Sequence, residues 1–201
     1  MTEFNRWEAR FAVPDYIFGT APNEFLAAQQ ALLPTSGRAL AVADGEGRNG
    51  VWLAEQGLAV HSIDLSPAAQ EKAHALAATR GVTITTETVD ATAWTWPPDT
   101  FDVVAVIFTQ FAAPEERARM FAGFRTTLRP GGLLLIEGFT PKQLTYGTGG
   151  PKQIENLYTR ELLASAFADF RDVVISEYDT VIPDSIAHGG LSAVIDFTGR
   201  K

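Results

Sequence analysis

The sequence contains no cysteine. Disulfides, thiolate metal sites and cysteine nucleophiles are thereby excluded, and nothing calls for an oxidising compartment. Histidine is scarce, with three residues at positions 61, 74 and 188 and no helical His-Glu pair. No metal site is expected from that scatter. No window holds eighteen consecutive apolar residues, and the opening Met-Thr-Glu-Phe-Asn-Arg lacks the charged-then-apolar layout of a signal segment. No membrane partner is expected, and a cytoplasmic location is. Positive charge is also in deficit: 16 Lys and Arg face 24 Asp and Glu, for a formal charge of −8. Such a balance disfavours the broad basic footprint that binds a nucleic-acid backbone, so no nucleic-acid partner is expected.

What is present suits one globular domain. At 201 residues the chain can bury a full core, and 20% charged residues lies in the ordinary range. Its organising stretch is Leu40 to Gly50, Leu-Ala-Val-Ala-Asp-Gly-Glu-Gly-Arg-Asn-Gly. A short apolar run ends in a glycine-rich turn, and a helix pattern follows at once. Glycines at 45 and 47 permit positive φ and a close approach of backbone to ligand. The helix behind them aims unpaired N–H groups and a positive dipole end at that turn. Gly45, Gly47 and Gly50 also fit G-x-G-x-x-G, a weak signal for a dinucleotide on its own.

Residues 1–37 read as an N-terminal lid and helix, rich in rings at Phe4, Trp7, Phe11, Tyr16 and Phe18. The rings either staple the segment to the domain or make it a flap over a cofactor, and the two are compatible. Pro22 is expected to open the helix that follows. From Arg38, strands alternate with helices: strands near 39–43, 59–63, 83–89, 101–108 and 133–137, and helices near 49–56, 68–80 and 115–128. Alternation implies a parallel sheet with helices on both faces. The end breaks the pattern. Strands near 173–182 and 191–197 are too close for a parallel crossover, so they should form an antiparallel hairpin. The expected fold is α/β: a Rossmann-like, doubly wound, mostly parallel seven-stranded sheet with an antiparallel C-terminal hairpin, in a single domain spanning 1–201 with its core at 38–201.

In open α/β sheets ligands sit outside the carboxyl ends of the strands. Asp44, Asp64 and Asp90 fall there, after strands one, two and three. Asp64 has the spacing of an acid that accepts from ribose hydroxyls. Asp90, with Ala91, lies one strand further out, where it could meet the exocyclic amine of an adenine. A cofactor with adenine and ribose but no phosphates needs acids here and no basic cluster. Arg48 is the only basic residue in the loop and no Lys-Ser/Thr follows it, so a P-loop is excluded.

These motifs together resemble the class I S-adenosylmethionine-dependent methyltransferases, and within them a small bacterial branch similar to tellurite-resistance and thiopurine methyltransferases. The resemblance covers nearly the whole chain. It rests on Asp44-Gly-Glu-Gly-Arg-Asn49, Val60-His-Ser-Ile-Asp-Leu-Ser-Pro67 and Val89-Asp-Ala-Thr92. Phe101-Asp-Val-Val104, Leu128-Arg-Pro-Gly-Gly-Leu133, Tyr146-Gly-Thr-Gly-Gly-Pro151 and His188-Gly-Gly complete it. The opening motif departs from the family pattern, because its first acid and first glycine are Ala41 and Ala43. A methyl at 43 costs little where φ is negative. Loss of the acid at 41 leaves Asp44, or carbonyls near it, to meet the methionine ammonium group.

The resemblance implies S-adenosyl-L-methionine as cofactor and a direct in-line methyl transfer to a small-molecule acceptor, a thiol, chalcogen oxyanion or amine. It implies that Asp44, Gly45, Glu46, Gly47 and Asn49 cradle the methionine part, and that Asp64, Leu65 and Ser66 meet the ribose and adenine. Asp90 and Ala91 would meet the adenine edge, with Ile107, Phe108 and Thr109 beneath the methyl. Trp7, Arg10 and Gly19 are candidates for the lid, and Gln110, Tyr146, Tyr158 and His188 for the acceptor. A soft or anionic acceptor would need no general base. Two rivals remain: a non-catalytic protein binding S-adenosylmethionine or S-adenosylhomocysteine, and an NAD(P)-dependent oxidoreductase. The second lacks a Tyr-x-x-x-Lys pair.

Overall fold

A computed structural model describes residues 3–182 and 189–201. Its centre is a seven-stranded sheet of order β3-β2-β1-β4-β5-β7-β6. The strands are β1 (Arg38–Val42), β2 (Ala59–Asp64), β3 (Thr85–Thr88), β4 (Phe101–Ile107), β5 (Leu128–Phe139), β6 (Arg171–Ile182) and β7 (Gly190–Arg200). The first five run parallel, whereas β7 pairs antiparallel with both β5 and β6. The reversed strand sits inside the sheet, and β6 is left as the edge.

The period of two along each strand sends alternate side chains to opposite faces. Leu40, Val42, Val104, Val106, Leu134 and Ile136 go to one core cluster. Ala39, Val103, Ala105, Leu133 and Leu135 go to the other. Helices α3 (Arg48–Glu55) and α4 (Pro67–Thr79) cover the second face through Val51, Leu53, Ala73 and Leu76. Helices α5 (Pro114–Thr127) and α7 (Arg160–Ala166) cover the first through Phe121, Phe124 and Leu163. The two strand faces are thus both buried, which is why β4 and β5 read as nearly unbroken apolar runs.

Local chemistry sets the helix ends. Ser66 caps α4, its hydroxyl accepting the Ala69 N–H at 3.1 Å. Pro22 does not open α2 (Glu24–Ala28); Asn23 caps it instead, accepting the Leu26 N–H at 2.9 Å. An asparagine oxygen can satisfy a first-turn donor, which proline cannot do. The chain begins with α1 (Glu3–Phe11), and the short α6 (Gln143–Tyr146) follows β5. β5 starts at Leu128 rather than Leu133, with a register break against β4 that absorbs Arg129 to Gly132. Among the described residues no helix is long and apolar enough to cross a membrane.

Candidate functional site

The site grows from the turn between β1 and α3. Ala43, Gly45 and Gly47 all take positive φ there, at 49°, 59° and 85°. Ala43 is therefore not at the negative φ that would make its methyl cheap. The left-handed region costs an L-residue roughly 1 kcal/mol, and the Asp44 N–H, donated to Ile63 O at 3.1 Å, helps hold the turn in place. Each glycine has its own reason. A Cβ on Gly45 would lie 3.2 Å from the Phe11 ring, and one on Gly47 only 2.5 Å from Ala73 Cβ on α4. A Cβ on Gly50 would meet the Asp44 carboxylate at 2.4 Å.

Carboxylates pin this loop from below. Asp64, at the end of β2, accepts the Gly45 N–H at 2.8 Å and the Ser66 N–H at 2.9 Å. Burial raises its pKa, against the pull of these backbone donors. Asp44 accepts from Gly50 N at 3.1 Å and from the Ser62 hydroxyl at 3.0 Å. Burial pushes it up to about 7, offset in part by those two donors.

Beyond the loop, at the carboxyl ends of the strands, opens a cavity of about 1550 Å³. That exceeds the volume of roughly 300–1,000 Å³ which a single small ligand ordinarily fills. Its wall includes Asp44, Gly45, Asn49, Asp64, Leu65, Asp90, Ala91, Ile107, Phe108, Thr109 and Gln110. Trp7, Arg10 and Gly19 of the N-terminal segment close one side. Trp7 stacks on Phe11 at 5.5 Å, with the Arg10 guanidinium 4.7 Å from its ring centre.

Other expected site residues lie elsewhere. Glu46 is 2% exposed and turned away from the cavity; it accepts the Ile17 N–H at 2.9 Å and pairs with Lys72 at 2.7 Å. It fastens the N-terminal segment. Gly47 serves helix packing, and Ser66 is spent on its cap and on a 2.5 Å bond to Glu8. Tyr158 is a core residue, 1% exposed, edge-on to Phe121 and donating to Thr109 O. Tyr146 is off the cavity wall, with its hydroxyl on Asp179 at 2.9 Å. Gln110 reaches the wall, but its amide is consumed by the backbone of Phe139 and Asn156. His188 lies outside the described residues.

The cavity also has members that were not among the expected contacts: Asn23, Arg48, Glu137, Tyr178 and Asp196. Glu137 and Asp196 are direct cross-strand partners on β5 and β7. Their side chains are hydrogen-bonded to each other. The Asn23 side-chain amide donates to Glu137, and the Tyr178 hydroxyl donates to Asp196 at 2.7 Å. Burial, then the Asp196 charge, pushes Glu137 up to about 8; burial lifts Asp196 to about 6. Both carboxyls are thus held above the usual carboxylate range. Arg48 is held by Phe18 O at 3.2 Å, and burial works against its charge while Glu137, Asp44 and Glu46 favour it. Only the antiparallel register exposes this pair, and no local sequence pattern carries it.

Residues 39–132 match a family model described as a methyltransferase domain. A comparison with curated proteins gives no match. Among solved structures, TehB from Haemophilus influenzae is similar over 91% of this chain and 63% of its own, at 16% identity and a TM-score of 0.76. A structure concerned with converting a disulfide bond into a thioacetal group during echinomycin biosynthesis covers 100% of this chain and 92% of its own, with 19% identity and TM-score 0.79. An S-adenosylmethionine-dependent methyltransferase from Mesorhizobium loti covers 87% and 96%, with 19% identity and TM-score 0.67. The chain has the Rossmann-like methyltransferase fold.

Proposed function

We propose that the protein transfers a methyl group from S-adenosyl-L-methionine to a small-molecule acceptor bound in the same cavity. One observation carries the reading. The large cavity at the strand ends has acids after β2 and β3, Asp64 and Asp90, beside a glycine turn without a phosphate-binding cluster. That donor and acceptor set fits a ribose and an adenine, and the cavity has room for a second ligand. Asp64, with Leu65, is the ribose and adenine end; Asp90 and Ala91 meet the adenine edge. Asp44, Gly45 and Asn49 bound the methionine end, under a lid formed by the described part of the N-terminal segment, residues 3–37. Ile107, Phe108 and Thr109 lie between the cofactor and acceptor regions.

The cofactor supplies an already activated methyl group, so the chain's task is alignment and exclusion of water. Phe108, Phe139 and the aromatic lid serve the second purpose. A thiol, a chalcogen oxyanion or an amine is within the acceptor range, as expected for the tellurite-resistance and thiopurine-like branch. A cytoplasmic site of action follows from the same reading. Calorimetric titration with S-adenosylmethionine, S-adenosylhomocysteine and NADH tests it. Micromolar binding of the first two is expected, and binding of NADH alone would sink it. Turnover on a mixed acceptor panel separates the enzyme from a cofactor sensor.

A further inference from the structure

The aspartates at the strand ends on the cavity wall each have a structural occupation. Asp44 is bound to Gly50 and Ser62, Asp64 to Gly45 and Ser66, and Asp90 to Thr92. Two atoms are different. Thr109 Oγ1 is buried without a hydrogen-bond partner in a residue only 3% exposed. Asp196 Oδ1 is buried with no permanent donor, so only the proton shared with Glu137 can fill it. Both belong to cavity-lining residues. Thr109 follows Phe108, whose N–H donates to Glu137 O at 2.8 Å, and Glu137 lies directly across the β5–β7 ladder from Asp196.

A buried polar atom left unpaired costs about 1–3 kcal/mol. Thr109 Oγ1, on the same wall as a buried carboxyl pair, points to a polar ligand in the cavity. The sign of the surroundings selects it. Glu24 joins the carboxyl pair on the wall and acts on Tyr178. Arg48, the cation that acts on Glu137, already answers Asp44 and Glu46 as well. An oxyanion or thiolate placed here would face the Asp196 carboxylate. An ammonium group would meet one carboxylate and a carboxyl that ionises on its arrival, in a cavity whose wall also carries the free Thr109 hydroxyl.

We propose that Glu137 and Asp196, with Thr109 on the same cavity wall, form the acceptor site, and that the acceptor is an amine on an apolar body whose proton Asp196 removes; this rests on the methyltransferase reading above. The apolar body lies against Phe108 and Phe139, whose rings are 4.5 Å apart. Nitrogen must shed a proton before its lone pair can take a methyl group. The N–H bond breaks with its electron pair staying on nitrogen, and the proton forms an O–H bond on Asp196. The Tyr178 hydroxyl, on Asp196 and 41% exposed, leads that proton towards solvent. When nitrogen then bonds to the methyl carbon, the donor's C–S pair remains on sulfur. Asp196 feels Tyr178 from β6, and Glu137 feels Asn23 from the start of α2 and Arg48 from α3, while Glu24 acts on Tyr178; these groups set the pair's proton affinity.

The experiment uses the full chain with S-adenosylhomocysteine bound, and 2-phenylethylamine, 2-phenylethanethiol and selenite as probes. Amine binding should release protons, seen as a calorimetric heat that varies with the buffer's ionisation enthalpy. With S-adenosylmethionine, the amine should be methylated at least tenfold faster than thiol or selenite. Asp196→Asn should lower amine kcat/KM at least a hundredfold while the S-adenosylmethionine Kd moves less than threefold. Tyr178→Phe, at a half-exposed position, should raise the apparent pKa of the amine rate profile without unfolding the protein. Preference for thiol or selenite overturns the proposal. So does an Asp196→Asn variant with amine kcat/KM within threefold of the parent. A tenfold loss of S-adenosylmethionine affinity in that variant would instead assign the pair to the cofactor's ammonium group. If neither S-adenosylmethionine nor S-adenosylhomocysteine binds, the underlying methyltransferase reading is what fails.

Discussion

Lys72 on α4 reaches Glu46 in the glycine turn at 2.7 Å, and the same carboxylate accepts the Ile17 and Phe18 amides at 2.9 and 3.4 Å. Lys72 also donates to Asp15 O at 2.7 Å. Three separate stretches therefore meet on one carboxylate that is 2% exposed. Removing one member of a buried ion pair leaves the other uncompensated, at a cost of about 3 kcal/mol. Glu46→Ala should lose about that much in urea unfolding. It should also speed amide exchange at Ile17 and Phe18 well before the sheet opens. Equal protection of those amides in the variant would show that the rings of Phe11 and Phe18 hold the segment without the carboxylate.

Ala43 offers a test of strain in the turn. Its φ of 49° is one that glycine takes freely and a β-branched residue resists. Ala43→Gly removes about 1 kcal/mol of strain and gives back part of it through a more flexible unfolded chain. A rise in Tm of about 1–2 °C is expected. Ala43→Val should lower stability by about 2 kcal/mol. The pair of variants must move in opposite directions, and a fall in Tm for both would mean that the methyl packs usefully.

Gly47 makes a harder demand. A Cβ there would lie 2.5 Å from Ala73 Cβ and 2.8 Å from Ala73 Cα, with φ already at 85°. Neither atom is the end of a flexible chain, so α4 itself would have to move. Gly47→Ala should destabilise by about 2–3 kcal/mol. Adding Ala73→Gly removes the contact with Cβ but neither the 2.8 Å approach to the Ala73 Cα nor the φ penalty, so the double variant should recover only part of the loss, with a coupling that is measurable in a double-mutant cycle.

The alternation of strands and helices, the antiparallel end and the glycine turn were legible because each rests on local pattern: period-two apolar runs, caps and short connections. Asp64 was legible for the same reason, as an acid at a strand end. What was not legible depends on contacts between distant stretches. Glu46 sits between two glycines and resembles a loop residue facing a ligand, until Lys72 and Ile17 claim it. Tyr158 resembles an acceptor contact until Phe121 encloses it. Glu137 reads as the polar stop of an apolar strand. Its significance comes from Asp196 lying directly across the β5–β7 ladder, and from Asn23 descending on it from the start of α2. The sign of φ at Ala43 was likewise invisible, because alanine gives no hint of the left-handed region that glycine would have advertised.

The buried carboxyls also dictate how stability responds to pH. Burial is the largest cause of the upward shift at Asp44, to about 7, at Glu137, to about 8, and at Asp196, to about 6. Asp64 is raised for the same reason. Unfolded carboxyls titrate near 4, so between about pH 4 and 8 the folded chain binds more protons than the unfolded one. Unfolding free energy must then fall as pH rises through that window and level off above it. Carboxyls held low act elsewhere: Asp179, lowered by its hydrogen bond from Lys142, contributes stability that is lost only as pH drops below about 4. Urea unfolding at pH 5, 6.5 and 8 should therefore show a steady decline. Glu137→Gln removes one titrating group from the upper part of the window while keeping an acceptor for Asn23, so its decline between pH 6.5 and 8 should be shallower than the parent's. Parallel slopes in parent and variant would mean that Glu137 does not carry the proton between the two strands, and stability that rises from pH 5 to 8 would contradict the raised carboxyls as a group.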